Sequence, residues 1–64
     1  MIIVEQLTSS NVKYYVFDDI EKAAEFVANR CKLKIKDITT DTPFYEDYKG
    51  VRFRYIIKLA EKRF

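Results

Sequence analysis

Three acidic side chains that lie close together, Asp18, Asp19 and Glu21, form the densest group of residues that could do chemistry. Paired carboxylates can act as a general acid and a general base, or they can hold a metal ion. These three, however, directly precede an apolar run with helical spacing, where acidic residues cap the first turn and interact with the positive end of the helix dipole. Helix capping therefore accounts for all three, and we expect no catalytic role for them.

The remaining reactive groups are too few to build a catalytic or metal site. The chain has no histidine and a single cysteine, Cys31, which excludes histidine-based acid–base catalysis, Ser-His and Cys-His nucleophiles, Cys/His zinc sites and disulfides. Glu46 and Asp47 lack the spacing of a calcium loop, and a single glycine cannot form a phosphate-binding loop. We therefore expect a protein that is not an enzyme, with no cofactor and no metal, in which Cys31 is a small buried hydrophobic residue.

The size and composition of the chain predict one globular domain over residues 1–64. Its 64 residues are 48% hydrophobic and carry a net charge of +2, which is too small to demand a polyanionic partner. A secreted domain of this size usually contains several disulfides. The sequence shows neither a signal-peptide pattern nor an apolar stretch of the roughly 20 residues that span a membrane. We expect a cytoplasmic protein without a membrane partner.

The first half of the chain predicts a β-hairpin followed by a helix. Residues 2–7 and 12–17 are rich in β-branched and aromatic residues, and the short polar segment between them indicates a tight turn. A helix is predicted from Asp18, as its N-cap, to a point near Lys32, because apolar residues recur at helical spacing on one side. This apolar stripe consists of Ile20, Ala23, Ala24, Val27 and Cys31.

The second half of the chain predicts two more strands. We assign residues 33–38 to a third strand because they begin with strict alternation, residues 39–50 to the longest connection, and residues 51–60 to a fourth strand with period-two alternation. Residues 61–64 are predicted to be a fraying end. The fold class is therefore α+β, in the order β-β-α-β-β, with one helix packed on a mainly antiparallel four-stranded sheet. The strand order stays open, and a right-handed crossover makes the second and third strands parallel if they are neighbours.

A helix packed on one face of the sheet also predicts which residues form the core. The inward side of the first two strands is open, because both of their sides carry apolar residues. For the same reason a second copy of the chain could cover what the helix leaves exposed, which makes a homodimer one expected state. The residues expected in the core are Val4, Val16, Ile20, Ala24, Val27, Cys31, Leu33, Ile35, Phe53, Tyr55 and Ile57.

Positive charge is concentrated near the end of the chain. Residues 49–64 contain six basic residues and one acidic residue. Alternation places Arg52, Arg54 and Lys58 on the outer side of the fourth strand, and Lys34 and Lys36 on the outer side of the third. If these strands are adjacent, five cations converge on one sheet surface. Such a surface is either a solvated face that discourages edge aggregation or a binding surface for nucleic acid or an acidic protein patch.

Aromatic residues mark a second candidate interface. Phe44, Tyr45 and Tyr48 lie in the predicted connection, and exposed aromatic side chains favour association. The alternative is that one of these rings folds back over the edge of the core. Phe26 lies on the flank of the helical stripe, so it either packs against the long connection or stands exposed as a contact residue.

At the level of protein class, the chain resembles the small single-domain proteins that bacteriophages encode to bind and redirect host enzymes or defence systems. The resemblance rests on the small size, on the lack of catalytic residues and on segment 14–38, which begins YYVFDDIEKAAEFV. In this segment a strand leads directly into a capped amphipathic helix and then to another predicted strand. The resemblance implies an inhibitor or adaptor that acts in the host cytoplasm.

Two functions remain as hypotheses. The first is a protein-interaction module that uses Phe26, the aromatic residues of the 44–48 segment and the basic sheet face. The alternative is a nucleic-acid-binding protein that uses the cations of that face with one outward tyrosine. Phosphate contacts weaken steeply with ionic strength, whereas a contact anchored by aromatic rings does not, so salt dependence separates the two. The predicted partner-binding residues are Phe26, Lys34, Lys36, Phe44, Tyr45, Tyr48, Arg52, Arg54 and Lys58.

Overall fold

The computed structural model describes residues 1–59, which form one helix and a four-stranded sheet. The strand order is β2-β1-β4-β3, and every neighbouring pair is antiparallel. The predicted α+β class with one helix on an antiparallel sheet is confirmed. Ala60 and the predicted fraying end at 61–64 lie outside the described residues. The elements are β1 (Ile2–Leu7), β2 (Val12–Phe17), α1 (Ile20–Cys31), a 3-10 turn (Ile35–Asp37), β3 (Phe44–Tyr48) and β4 (Val51–Leu59).

The hairpin of β1 and β2 has the predicted bounds. The register runs from Ile2 opposite Phe17 to Leu7 opposite Val12. The turn between the strands is closed by Thr8, whose backbone N–H and hydroxyl both donate to the carbonyl oxygen of Asn11, at 2.8 Å and 3.2 Å. The short polar side chain therefore satisfies backbone groups that would otherwise be unpaired at the turn.

Helix α1 begins one residue later than predicted. Asp19, and not Asp18, is the N-cap, and its Oδ1 accepts a hydrogen bond of 2.9 Å from the backbone N–H of Glu21. The helix ends as predicted at Lys32, which adopts the left-handed conformation with φ of 57° and donates its N–H to the carbonyl of Ala28. A left-handed C-cap residue stops helix propagation and satisfies one of its last carbonyls.

The predicted third strand at residues 33–38 is wrong. Leu33 and Ile35 are 43% and 49% exposed, and a 3-10 turn forms there instead. The third strand is β3, inside the segment predicted to be a connection, and it forms a hairpin with β4. Lys49 and Gly50 join them with φ of 51° and 81°, and two consecutive positive φ values are what a type I′ hairpin turn requires. Since β2 and β3 occupy opposite edges of the sheet, no parallel pair forms among the described strands.

The core lies between α1 and the two central strands, β1 and β4. Five predicted core residues are buried (Val4, Ala24, Val27, Tyr55 and Ile57), and Cys31 and Phe53 are partly buried against them. Three further core residues, Ile2, Ala23 and Ala28, are absent from the predicted set.

Four predicted core residues are instead exposed, namely Val16, Ile20, Leu33 and Ile35. Val16 is 61% exposed because it lies opposite Ile3 on the side of the sheet away from the helix. Ile20 is the first residue of the helix, so its side chain lies at the rim of the interface. Leu33 and Ile35 belong to the segment that does not join the sheet.

Val27 offers the most direct test of this packing, since its side chain is fully buried in the core cluster. Val27→Asp should unfold the domain, because an unpaired buried charge costs more than the ~3–5 kcal/mol that a core of this size supplies. The matched control is Lys22→Asp, at an exposed position of the same helix. Thermal unfolding followed by circular dichroism measures both, and an unchanged melting curve for Val27→Asp would contradict the helix packing.

Candidate functional site

One face of the sheet is left open by the elements that residues 1–59 form. Helix α1 packs on the face that carries Ile2, Val4, Tyr55 and Ile57, and none of the described elements packs on the opposite face, which we call the outer face. Strand residues alternate between the two faces, so the register of the four strands identifies its members. They are Ile3, Glu5 and Leu7 of β1, Val12, Tyr14 and Val16 of β2, Tyr45 and Asp47 of β3, and Arg52, Arg54, Ile56 and Lys58 of β4.

Two of the three cations on the outer face have an acidic partner on the neighbouring strand. Arg52 Nε donates to Asp47 Oδ1 at 3.2 Å, and Lys58 Nζ lies 3.7 Å from Glu5 Oε2. These pairs are partly or largely exposed, so each contributes little to folding stability. They do reduce the positive charge of the face, which sums to three cations against two carboxylates.

The third cation, Arg54, has no such partner among the described residues. It lies between Leu7 on β1 and Tyr45 on β3, and its Nε is shielded from solvent without a hydrogen bond. A shielded donor that makes no hydrogen bond costs free energy. A carboxylate brought to this face would therefore gain a charge-assisted interaction with the Arg54 side chain.

Lys34 and Lys36 do not join this surface. Lys34 precedes the 3-10 turn and Lys36 lies within it, because residues 33–38 are not a strand of the sheet. The predicted convergence of five cations on one sheet face is therefore wrong, and three of the five are brought together.

The aromatic residues of the 44–48 segment are divided between the two faces. Phe44 packs against the core cluster, and Tyr48 points to the same side at the end of the hairpin, with Lys49 Nζ 5.3 Å from its ring centroid. Tyr45 alone lies on the outer face, with Arg52 Cζ 5.7 Å from its ring centroid. Strand formation, which the sequence analysis did not expect here, is what separates the three rings.

Phe26 belongs to an aromatic cluster on the helix side of the sheet. Its ring centroid lies 4.8 Å from that of Tyr15, 5.5 Å from Phe17 and 6.0 Å from Tyr55. Arg30 Cζ lies 4.9 Å from the same ring. Phe26 is therefore half-buried against β2 and β4, so the expectation that it stands exposed is wrong.

The predicted partner-binding residues omit the apolar half of the outer face. Val12, Tyr14 and Val16 are exposed there, and Ile3, Leu7 and Ile56 are half-buried beside them. The observation that could have identified them is that both sides of β1 and β2 carry apolar residues. A single helix covers only one of those sides, so the other side must present apolar groups to solvent.

The helix side contains a buried polar chain. Gln6 Nε2 donates to Tyr55 Oη at 2.9 Å, and Tyr55 Oη donates to Glu46 Oε1 at 2.9 Å. Burial raises the pKa of Tyr55, the hydrogen bond from Gln6 opposes this shift, and Glu46 adds to it. A cleft of about 250 Å³ adjoins this chain, with Gln6 and Phe53 in its lining.

Two groups with reactive atoms lie on the helix side, the Cys31 thiol and the Tyr55 hydroxyl. Burial, and secondarily Glu46, raises the pKa of the Cys31 thiol, so the nucleophilic thiolate is disfavoured. Residues 1–59 contain no cluster of three or more potential metal-ligating side chains. The Tyr55 hydroxyl accepts one hydrogen bond and donates another inside the core, and these bonds account for its position.

Comparison with protein-family models, with curated proteins and with solved structures finds no match to this chain. The described residues form no helix that is both long and apolar enough to cross a membrane.

The buried hydrogen bonds that join Gln6, Tyr55 and Glu46 predict that the stability of the fold depends on pH. The pKa of Tyr55 is raised in the folded state, so its neutral hydroxyl stabilises the fold. This stabilisation is complete below the unfolded pKa of about 10 and is lost as the pH rises through the folded pKa. Tyr55→Phe should remove this part of the pH dependence. It should also cost about 1–3 kcal/mol at neutral pH, because the buried amide of Gln6 loses its acceptor.

Urea unfolding at neutral and alkaline pH measures both effects of Tyr55→Phe. The control is Tyr14→Phe, which removes a hydroxyl from an exposed ring. Equal unfolding free energies for Tyr55→Phe and the wild type would show that the buried hydrogen bonds of Tyr55 do not stabilise the fold.

Proposed function

We propose that this chain is a non-catalytic protein-interaction module that binds another protein through its outer face. The observation that carries the proposal is the composition of that open face. It combines exposed valines with two tyrosines and two arginines, and interface hot spots are enriched in tyrosine and arginine. An apolar surface left open on a small protein is typical of an association site.

The chemistry of the face indicates what the partner presents. The half formed by β1 and β2 is apolar except for Glu5, which is paired with Lys58, and it suits an apolar patch of the partner. The half formed by β3 and β4 carries Tyr45, Arg52 and Arg54, of which Arg54 has no acidic neighbour in its register. We expect the partner to place a carboxylate near Arg54 and to pack a flat apolar group against Tyr45.

Nucleic-acid binding, the alternative function, has less support. Phosphate binding depends on several cations that are free to replace counterions. On the outer face Arg52 and Lys58 already have carboxylate partners, and Lys34 and Lys36 lie elsewhere.

The proposal includes a cytoplasmic setting. The support is the single half-buried cysteine, since small extracellular domains usually depend on several disulfides. The proposal also includes a role as an inhibitor or adaptor of the bacteriophage type, which binds a host protein in the host cytoplasm. One binding surface, such as the outer face, is sufficient for that role.

Tyr45 and Tyr48 provide a matched pair of variants that tests the proposal. The two residues lie on the same strand with 52% and 53% of their surface exposed, but on opposite faces. Tyr45→Ala should weaken binding of the captured partner by about 2 kcal/mol or more, and Tyr48→Ala should leave it unchanged. Affinity capture from a cell lysate, with and without nuclease, identifies the partner, and calorimetry with the purified partner measures both variants.

Three results would contradict the proposal. The first is equal binding by Tyr45→Ala and the wild type. The second is equal loss of binding in the two variants. The third is capture that nuclease abolishes, together with salt-sensitive binding that Arg52→Glu and Arg54→Glu remove, which would establish the nucleic-acid alternative.

A further inference from the structure

Strand β2 has a free edge. It is the outermost strand of the sheet, and no strand formed by residues 1–59 pairs with its second side. The unpaired N–H and C=O groups of an edge strand form a template on which another strand can add. Proteins usually block such an edge with proline, charged residues or a bulge. The β2 sequence, VKYYVF, contains no proline and one charged residue, and its pairing with β1 runs without a bulge.

The turn of the hairpin shows which backbone groups of β2 point to the free edge. The N–H of Thr8 donates to the carbonyl of Asn11, so these two residues form a hydrogen-bonded pair. In an antiparallel ladder such pairs alternate with pairs whose backbone groups point away from each other. Counting from Asn11, Lys13 and Tyr15 bond to β1, and the N–H and C=O groups of Val12, Tyr14 and Val16 face the free edge.

The opposite edge of the sheet is blocked. The two-residue turn after Tyr48 makes Tyr48 and Val51 a hydrogen-bonded pair, so Asp47 and Tyr45 present the free groups of β3. The next position in that series is Pro43, which has no N–H to donate. Asp47 adds a charge. The protection of β3 and its absence in β2 point to β2 as the edge that is used.

We propose that two copies of this chain pair through β2, antiparallel, about a two-fold axis that passes beside Tyr14. Tyr14 then exchanges backbone hydrogen bonds with Tyr14 of the second copy, and Val12 does so with Val16 of the second copy. All of the free groups identified above are used, in about six hydrogen bonds. The two four-stranded sheets become one continuous sheet, with both helices on the same side and both outer faces on the other.

The side chains of β2 fit this pairing, which is why the occupant is a second copy. On the outer face the order Val12, Tyr14, Val16 reads the same in both directions, so the two-fold axis sets valine against valine and tyrosine against tyrosine. On the helix side, Lys13 lies opposite Tyr15 of the second copy, and no two like charges are opposed. A shift by one residue would turn one copy over relative to the other, so the register is well specified.

Cysteine cross-linking tests the register. In a hydrogen-bonded antiparallel pair the Cα atoms lie about 5.5 Å apart, within the roughly 4.4–6.8 Å that a disulfide requires. In a Cys31→Ala background, Tyr14→Cys should therefore form a disulfide-linked dimer on mild oxidation. Val12→Cys should not, because the two copies of position 12 are offset on the order of 13 Å along the strands. Val16→Cys and Tyr45→Cys serve as further controls.

A charge exchange tests the same contact without a change at Cys31. Tyr14→Glu and Tyr14→Lys each place like charges against each other at the two-fold axis, and each should raise the dimer dissociation constant by up to about fivefold. An equimolar mixture should recover a heterodimer, because Glu then faces Lys. Sedimentation velocity measures association, circular dichroism confirms that each variant folds, and Tyr45→Glu is the control on the outer face.

The results separate this proposal from the proposed function. Tyr14 cross-linking together with recovery of association in the mixture supports the β2 dimer, whether or not Tyr45→Ala affects the binding of another protein. A wild-type chain that sediments as a monomer at high micromolar concentration overturns the proposal. Cross-linking by Tyr45→Cys, or by Val12→Cys as efficiently as by Tyr14→Cys, also overturns it, since that result indicates packing through the outer faces.

Discussion

A single helix has to cover a four-stranded sheet, and it covers only one of the two faces. Helix α1 has 12 residues and is therefore about 18 Å long, which is close to the width of four strands spaced about 4.8 Å apart. Its small residues Ala23, Ala24 and Ala28 are buried, and Ala23 packs in the core cluster with residues of β1 and β4. Among residues 1–59, this helix covers the centre of one face of the sheet, and no described element covers the other face, which is left to solvent or to a partner.

The pairing of β1 with β4 makes this arrangement possible. These strands are far apart in sequence, and their register sets Val4 against Ile57 and Gln6 against Tyr55. This register brings Tyr55 into hydrogen-bonding distance of Gln6, and the pairing of β3 with β4 brings Glu46 to the same hydroxyl. An apolar core with one satisfied polar chain favours a single register, because a slip would leave those polar groups buried without partners.

The local parts of the fold could be predicted from the sequence, and the long-range parts could not. The hairpin and helix follow from β-branched runs, a polar turn and a capped apolar stripe, all of which act over a few residues. The third strand was misplaced because the alternation at 33–38 resembles a strand, whereas Lys49-Gly50 lacks the asparagine or aspartate that most often marks a type I′ turn. The long-range contact that no local pattern encodes is the pairing of β1 with β4, which sets the strand order.

The candidate site was predicted in part for the same reason. Alternation alone correctly groups Arg52, Arg54 and Lys58 on one side of a strand. Which residues lie beside these cations depends on the strand order. That order places Tyr45 next to them on the outer face, whereas Lys34 and Lys36 lie outside the sheet. The inward side of β2 could not be derived, because valine and the aromatic residues on its two sides are similarly apolar.

The outer face is asymmetric, and its asymmetry matches that of the sheet edges. Apolar side chains occupy the half beside β2, whose edge is open, whereas charged side chains occupy the half beside β3, whose edge carries Pro43 and Asp47. An apolar half that borders an open edge suits pairing with an identical strand, because backbone hydrogen bonds supply the contact and the outer-face residues of β2 are uncharged. A charged half that borders a blocked edge suits a different partner, because complementary charges give specificity. Both contacts can therefore form at the same time, because addition at the edge of β2 leaves the outer face, with Tyr45 and Arg54, uncovered.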